Sequence, residues 1–372
     1  MTLTDYRTLG RSGLVVSPLA LGTMTFGTAR WGVGDEPARA IFDAYIEAGG
    51  NFIDTADVYA GGRSEAMLGE FIETRKLRGQ VVLATKAGFA TGGGVLQGGN
   101  SATHIHAALE GSLKLLRTDY IDLFWVHVWD SVTPAEELLE TMTTLVRAGK
   151  IRYWAMSNAP AWYVAKLATL ASVRSAPGPI ALQYFYSMVN RDIEAEHVPL
   201  ATEFGMGIVP WSPLAYGLLT GKYDRKTVDA AGPKAGGLPR GAKAPGEQRP
   251  TDDKRLDGAN PFGDSLFTER NWAIVEGLRH VATQAGTTMA RAALAWVIGR
   301  SGVTSTLIGV SHVEQLHDNV KALDVVLAPE HRAALDRLTT DENPKMMYSL
   351  FTPALRNAVV FGGNSVQQGS RR

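Results

Sequence analysis

Residues Asn51–Glu65 read NFIDTADVYAGGRSE, and this stretch sets two groups side by side that a purely structural loop does not need. Asn51-Phe52-Ile53 is a brief apolar run after Gly49-Gly50, so it reads as a strand following a helix C-terminus, with Asp54 the first residue beyond it. Five residues on, Tyr59 lies in a loop entering Gly61-Gly62. Ser64 then reads as the cap of a helix carrying Glu65, Met67, Leu68, Phe71 and Ile72. A carboxylate at a strand end and a phenol thus share one loop mouth. Alone, the pair fits a loop cap and a rim aromatic as well as it fits chemistry, so the surrounding pattern has to decide.

That pattern is an alternation. Tyr6 to Ser17, around Gly10-Arg11-Ser12-Gly13, has the signature of a small hairpin. Strand-like runs follow at Leu19–Gly22, Phe52-Ile53, Val81–Ala84, Ile121–Val126, Ile151–Met156, Ile180–Phe185, Gly207–Trp211 and Thr306–Ile308. Helical patterns lie between them. One spans Asp35 to Ala48, with Ala40, Ile41, Ala44, Tyr45 and Ala48 as its apolar stripe; another carries Leu109, Leu113 and Leu116. Thr133-Pro134-Ala135-Glu136 and Ser311-His312-Val313-Glu314 read as capping boxes. Eight short strands alternating with helices predict a parallel β/α architecture. Asp54, Lys86, His127, Ser157-Asn158, Gln183, Trp211-Ser212 and Gly309-Val310-Ser311 each end a successive strand, and such ends converge on one mouth in a closed (β/α)8 barrel. An open sheet would carry an early G-x-G-x-x-G turn, which is lacking; Gly92-Gly93-Gly94 reads as a flexible loop. The expected organisation is one barrel over residues 1–343, including the hairpin at 6–17 and a long Pro- and Gly-rich loop at 224–265, followed by a partly ordered tail at 344–372.

With 372 residues the chain can bury a large core. Lys+Arg and Asp+Glu number 37 each, so no net charge drives binding to nucleic acid or to an anionic membrane, and any anion must be held locally. The absence of cysteine excludes disulfides, thiolate metal sites and thiol nucleophiles. No basic-then-apolar leader and no membrane-length apolar run stand out, and a cytoplasmic location is expected.

Lys86 follows Val81-Val82-Leu83-Ala84-Thr85, which puts its amine beside Asp54 on the neighbouring strand. A lysine next to a carboxylate is most often a structural ion pair. Tyr59 changes its meaning, because a cation beside a phenol stabilises phenolate and moves its pKa from about 10 toward neutrality, making tyrosine a usable general acid. His127, ending IDLFWV, is either a satisfied core residue or a second donor at the same mouth.

These residues resemble the aldo-keto reductase superfamily along nearly the whole chain. GGNFIDTADVY followed by GRSE looks like that family's signature; Lys86, and His127 in DYIDLFWVHVWD, match the remaining catalytic positions. The resemblance implies that Tyr59 is the proton donor in reduction of an aldehyde or ketone, that Lys86 and Asp54 tune it, and that His127 orients the small-molecule carbonyl substrate. It also implies a nicotinamide cofactor. Thr23 and Met24 match positions beside the ribose; Ser157, Asn158 and Gln183 match the carboxamide contacts; Trp211 matches the stacking aromatic. Ser212, Leu214 and Gly217 resemble the pyrophosphate strap, with Lys222 as a phosphate cation. Gly309 and Ser311 open a helix whose free N–H groups favour phosphate, and Gln315 and Asn319 match adenine-end contacts. Many relatives carry Arg where this chain has Ser311; members with Ser there that it resembles use NADPH, so NADPH is the expected cofactor with NADH left open. Relatives that serve as ancillary channel subunits imply the rival reading of a cofactor-binding protein with little turnover. A Schiff-base lyase using Lys86 would need a depressed lysine pKa, which Asp54 opposes. Trp31, Trp129 and the long loop are expected at the pocket wall.

Overall fold

The computed structural model describes residues 1–29, 31–223, 225–226, 266–340 and 365, and in it the apolar runs become strands. An antiparallel hairpin pairs β1 (Arg7–Thr8) with β2 (Val15–Val16). Eight parallel strands follow: β3 (Leu19–Gly22), β4 (Phe52–Asp54), β5 (Val82–Ala87), β6 (Ile121–Val126), β7 (Ile151–Ser157), β8 (Ala181–Gln183), β9 (Gly207–Ile208) and β10 (Thr306–Ile308). They are ordered β10-β3-β4-β5-β6-β7-β8-β9. The ends of this row meet, because Ile208 N–H donates to the Gly302 carbonyl at 3.0 Å and Leu307 N–H to that of Pro210 at 3.0 Å. The sheet therefore curls into a (β/α)8 barrel, surrounded by helices that include α1 (Asp35–Glu47), α2 (Arg63–Thr74), α3 (Ala102–Leu115), α4 (Ala135–Arg147) and α5 (Ala161–Val173). No helix among the described residues is long and apolar enough to cross a membrane.

The period of two along each strand sorts its side chains into two cores. Leu19, Leu21, Ile53, Leu83, Phe124, Val126, Trp154 and Leu182 face the helices. Ala20, Phe52, Val82, Ala84, Leu123, Trp125, Ala155, Ala181, Val209 and Leu307 fill the barrel. The hairpin closes the opposite end, adding Leu9, Leu14 and Val16 to the interior cluster. Arg11 N–H donates to the Gly205 carbonyl at 2.7 Å. Gly10 (φ +60°) allows that approach, since a Cβ there would stand 2.5 Å from the same carbonyl oxygen.

Several local expectations are corrected. Asp54 belongs to β4 and does not follow it, since its carbonyl still accepts from Thr23 N–H at 2.9 Å. Ser64 is not a cap: Gly62, left-handed at φ +89°, occupies that position. The Ser64 hydroxyl is used instead on the Thr23 carbonyl and hydroxyl (both 2.9 Å) and on the Thr55 hydroxyl (3.0 Å). The buried stripe of α1 uses Ala38 and Phe42 with Ile41 and Tyr45, leaving Ala40 and Ala48 exposed. Neither capping box forms. The Thr133 hydroxyl donates to Asp130 at 2.6 Å, and α4 starts after Pro134 with no side-chain cap. Ser311 N–H is taken by the Gln315 side chain at 2.9 Å, and the helix there begins at Val313. In the Gly92–Gly94 run, which the structure neither supports nor contradicts as a flexible loop, the Gln97 side chain accepts from Gly94 N–H at 2.8 Å. The long loop and the tail, apart from residues 225, 226 and 365, lie outside the described residues.

Candidate active site

Strand parity builds the site. Two residues beyond the last apolar interior side chain of its strand, each candidate keeps the inward direction at the carboxyl end: Asp54 after Phe52, Lys86 after Ala84, His127 after Trp125, Ser157 after Ala155, Gln183 after Ala181 and Trp211 after Val209. Asp54, Lys86 and His127 meet there with Tyr59. The Lys86 Nζ, fully buried, donates to Asp54 Oδ1, to the Thr55 carbonyl at 2.8 Å and to the Tyr59 hydroxyl at 3.1 Å. The other Asp54 oxygen accepts from Gln183 Nε2 at 3.0 Å. All three ammonium donors are thereby used, and one of them holds the phenol oxygen.

Burial works to strip the proton from Lys86, but the Asp54 carboxylate and then Tyr59 outweigh it, so its pKa is raised and it stays an ammonium. His127 behaves oppositely. Burial, reinforced by the neighbouring Lys86 charge, holds its pKa well below the usual histidine value, so the imidazole is neutral. Its Nδ1 is buried without a partner among the described residues. An unpaired buried acceptor costs less than an unpaired N–H, which assigns the ring proton to Nε2.

Around this centre, Ser157 Oγ donates to the Gln183 carbonyl at 2.8 Å. Asn158, at φ +47°, donates to the His127 carbonyl at 2.9 Å and accepts from Trp211 Nε1 at 3.2 Å. Trp211 lies stacked on Phe185, with ring centroids 4.9 Å apart and an 18° tilt, and edge-on to Tyr216 at 6.3 Å. The segment after β9 is a run of left-handed residues: Ser212 (+51°), Ala215 (+48°), Tyr216 (+57°) and Gly217 (+90°). Such conformations cost about 1–3 kcal/mol each at non-glycine residues, and successive N–H groups in mixed helical hands form concavities that suit anions. Over the same segment lies Lys222, whose Nζ would be 2.7 Å from a Cβ on Gly217. The backbone at φ +90° favours glycine there, and the amine lies where a side chain would begin.

A sequence profile of the Aldo/keto reductase family matches residues 18–340. The chain belongs to the aldo/keto reductase family. Curated relatives include a probable voltage-gated potassium channel subunit beta of Oryza sativa (35% identical, covering 88% of this chain and 94% of that one). A putative aryl-alcohol dehydrogenase of Saccharomyces cerevisiae is 33% identical over 88% of this chain and 84% of its own. The norsolorinic acid reductase of Emericella nidulans is 34% identical over 86% and 77%. Family and oxidoreductase relatives together support an oxidoreductase role.

Within this aldo/keto reductase the remaining candidates sit as follows. Thr23 is buried, its hydroxyl donating to the Asp54 carbonyl at 3.1 Å, whereas Met24 is 38% exposed at the rim. Leu214 packs against the outer core. Gly309 is exposed, and the Ser311 hydroxyl is bonded to His312 Nδ1 at 2.9 Å as well as being close to Gln315. Asn319 is buried one turn below. Trp129 stands at the mouth beside Trp162 (5.7 Å), and its N–H donates to the Asn158 carbonyl at 3.3 Å. Trp31 lies partly buried on the loop after β3. The sequence reading missed Phe89, Phe185 and Tyr216, whose rings meet those of His127 and Trp211, and Asp57 and Glu65, which are carboxylates behind the mouth. Only Glu65 and Asp57 had a local signal, as acids within the quoted stretch.

Proposed function

We propose that this chain reduces an aldehyde or ketone with NADPH, with Tyr59 as the proton donor. The observation that carries this reading is the Lys86 ammonium, held by Asp54 and bonded to the Tyr59 hydroxyl at 3.1 Å. As a proton leaves the phenol for a carbonyl oxygen, negative charge appears on Tyr59 Oη, and an ammonium already bonded to that atom stabilises it. Asp54 is the fixed counter-charge that keeps Lys86 protonated. His127, neutral, donates from Nε2 to the carbonyl oxygen and so aims it at Tyr59. A reduced nicotinamide, when bound, supplies the hydride.

The donor set suits such a cofactor. Asn158 and Gln183 offer amides beside Trp211, a flat indole already stacked on one face, and the left-handed run with Lys222 above Gly217 offers N–H groups and a cation for a pyrophosphate. At the far end Ser311 replaces an arginine, so we propose a moderate preference for NADPH over NADH. The relatives named for aryl-alcohol and norsolorinic acid substrates, together with the rim aromatics Phe89, Trp129 and Trp162, support an aryl carbonyl as the substrate. The relative named as a channel subunit supports a second reading, tight cofactor binding with little turnover; the complete Asp54-Tyr59-Lys86-His127 arrangement favours catalysis.

The test is a panel of aryl and aliphatic carbonyls assayed by loss of reduced-nicotinamide absorbance. Turnover is expected with aryl carbonyls, falling about 10²- to 10⁴-fold in Tyr59→Phe while NADPH affinity is kept. Equal turnover in that variant would remove Tyr59 from the proton-donor role, and no turnover with any carbonyl would favour the second reading.

A further inference from the structure

Rings, not hydrogen bonds, place the His127 side chain. Its backbone is pinned, since its N–H donates to the Ala87 carbonyl at 2.8 Å and its carbonyl accepts from Asn158. Beyond Cβ the usual restraint is missing. An oriented histidine ordinarily ties its second nitrogen to a carboxylate or carbonyl, whereas Nδ1 here is buried with no partner among the described residues. The last torsion of a histidine has a broad, roughly two-fold profile, so packing has to choose between the two ring orientations. Two rings flank the imidazole: Tyr59, nearly perpendicular at 6.1 Å and 79°, and Phe89, much closer at 4.4 Å and 64°.

Phe89 is delivered to that contact by its loop. Gly88, at φ +137°, turns the chain after β5, and a Cβ there would lie 2.9 Å from Asn100 Oδ1. The loop base is closed by Gly99 N–H to the Gly88 carbonyl (2.9 Å), Asn100 Nδ2 to the Val128 carbonyl (2.7 Å) and Asn100 N–H to Asp130 (2.8 Å). The closure therefore ties the start of the Phe89 loop to the segment that follows His127. Phe89 is 41% exposed, so core packing does not account for a large apolar ring at this position.

We propose that Phe89 is a positioning residue: its ring holds the His127 imidazole in the single orientation that keeps Nδ1 buried and leaves Nε2 to act at the mouth. This rests on the carbonyl-reduction reading above. The experiment compares wild type with Phe89→Ala, Phe89→Leu and Phe89→Tyr. Propanal is the substrate, being too short to profit from an aromatic wall. NADPH affinity is measured by tryptophan quenching, and the His127 ring nitrogens are followed by ¹⁵N NMR of histidine-labelled protein. The Ala and Leu variants should lose roughly two- to tenfold in kcat, the worth of one aromatic pair, with KM and NADPH affinity little changed, and Tyr should restore the rate. The His127 signals should pass from one tautomer to an exchanging pair. Unmoved ring signals in Phe89→Leu, which keeps an apolar side chain on the loop should Phe89→Ala fail to fold, overturn the proposal. A kcat loss with unmoved signals overturns it too, because the loss then belongs to the pocket wall. If wild type reduces no carbonyl, the function reading fails while the ring signals still decide the role of Phe89.

Discussion

Lys86 shows how much one buried charge has to do. It is fully enclosed, and its three donors are all engaged, on Asp54, Thr55 and Tyr59. Lys86→Met would abolish reduction and strand the Asp54 carboxylate, at about 3–5 kcal/mol of stability. Adding Asp54→Asn should recover much of that stability, measured by urea denaturation, without recovering activity; a double variant as unstable as the single one would show that the two do not act as a pair. Asp57 poses a different problem, since both its side-chain oxygens are buried and lack a side-chain partner among the described residues. Burial first, then the neighbouring Glu65, pushes its pKa up to about 7. The folded chain therefore keeps a proton that the unfolded chain releases above its ordinary carboxyl range. Stability present at about pH 4 should be lost as pH rises to about 7, and stay lost above it. Asp57→Asn escapes this, so its advantage over wild type should grow across that window to at most about 4 kcal/mol. An advantage that stays flat with pH would mean that Asp57 ionises freely.

Among the elements, the strands carry their own instructions and the turns do not. Phe52, Ala84, Trp125, Ala155 and Ala181 mark the interior face, and the next inward residue on each strand is a candidate site residue. Alternation alone reveals that. The segment after β9 is less transparent, because Ala215 and Tyr216 adopt left-handed conformations that their side chains disfavour, just before Leu218 and Leu219 enter the core. Gly217 is the glycine that follows Tyr216, also left-handed at φ +90°. Gly217→Ala should displace Lys222, whose Nζ lies 2.7 Å from the position of the new methyl, and weaken NADPH and NADH alike by about tenfold or more, the scale of one charge-assisted contact. Titration of both cofactors checks this, and undiminished affinity would place the pyrophosphate elsewhere.

For the whole molecule, a cofactor bound only to the folded state stabilises it by about 2.7 kcal/mol at one hundred times its Kd. Thermal unfolding with either nucleotide thus reads out the preference without turnover. NADPH should raise the Tm at lower concentration than NADH, and Ser311→Arg should widen the gap at low salt and lose part of it at high salt. An NADH preference in wild type, or no gain from the arginine, would move the adenosine phosphate away from Ser311. The Ser311 N–H and hydroxyl already engage Gln315 and His312, so a phosphate there has to compete with internal partners. That is a further reason to expect only a moderate preference.

Local pattern determined the order of strands and helices, the strand ends at which Asp54, Lys86, His127, Ser157 and Gln183 stand, and the family, because period-two burial and short motifs are properties of neighbouring residues. Tertiary structure alone decided the rest. Ser64, Thr133 and Ser311 had the right residue type for helix caps, yet each hydroxyl is engaged elsewhere, on Thr23, Asp130 and His312 respectively. Phe89, Phe185 and Tyr216 gave no signal, since a ring's role depends on which ring it meets across the mouth. Asp57 looks like any loop carboxylate until the fold buries it beside Glu65. Desolvation and long-range contacts are set by residues far away in the chain, and no local pattern encodes them.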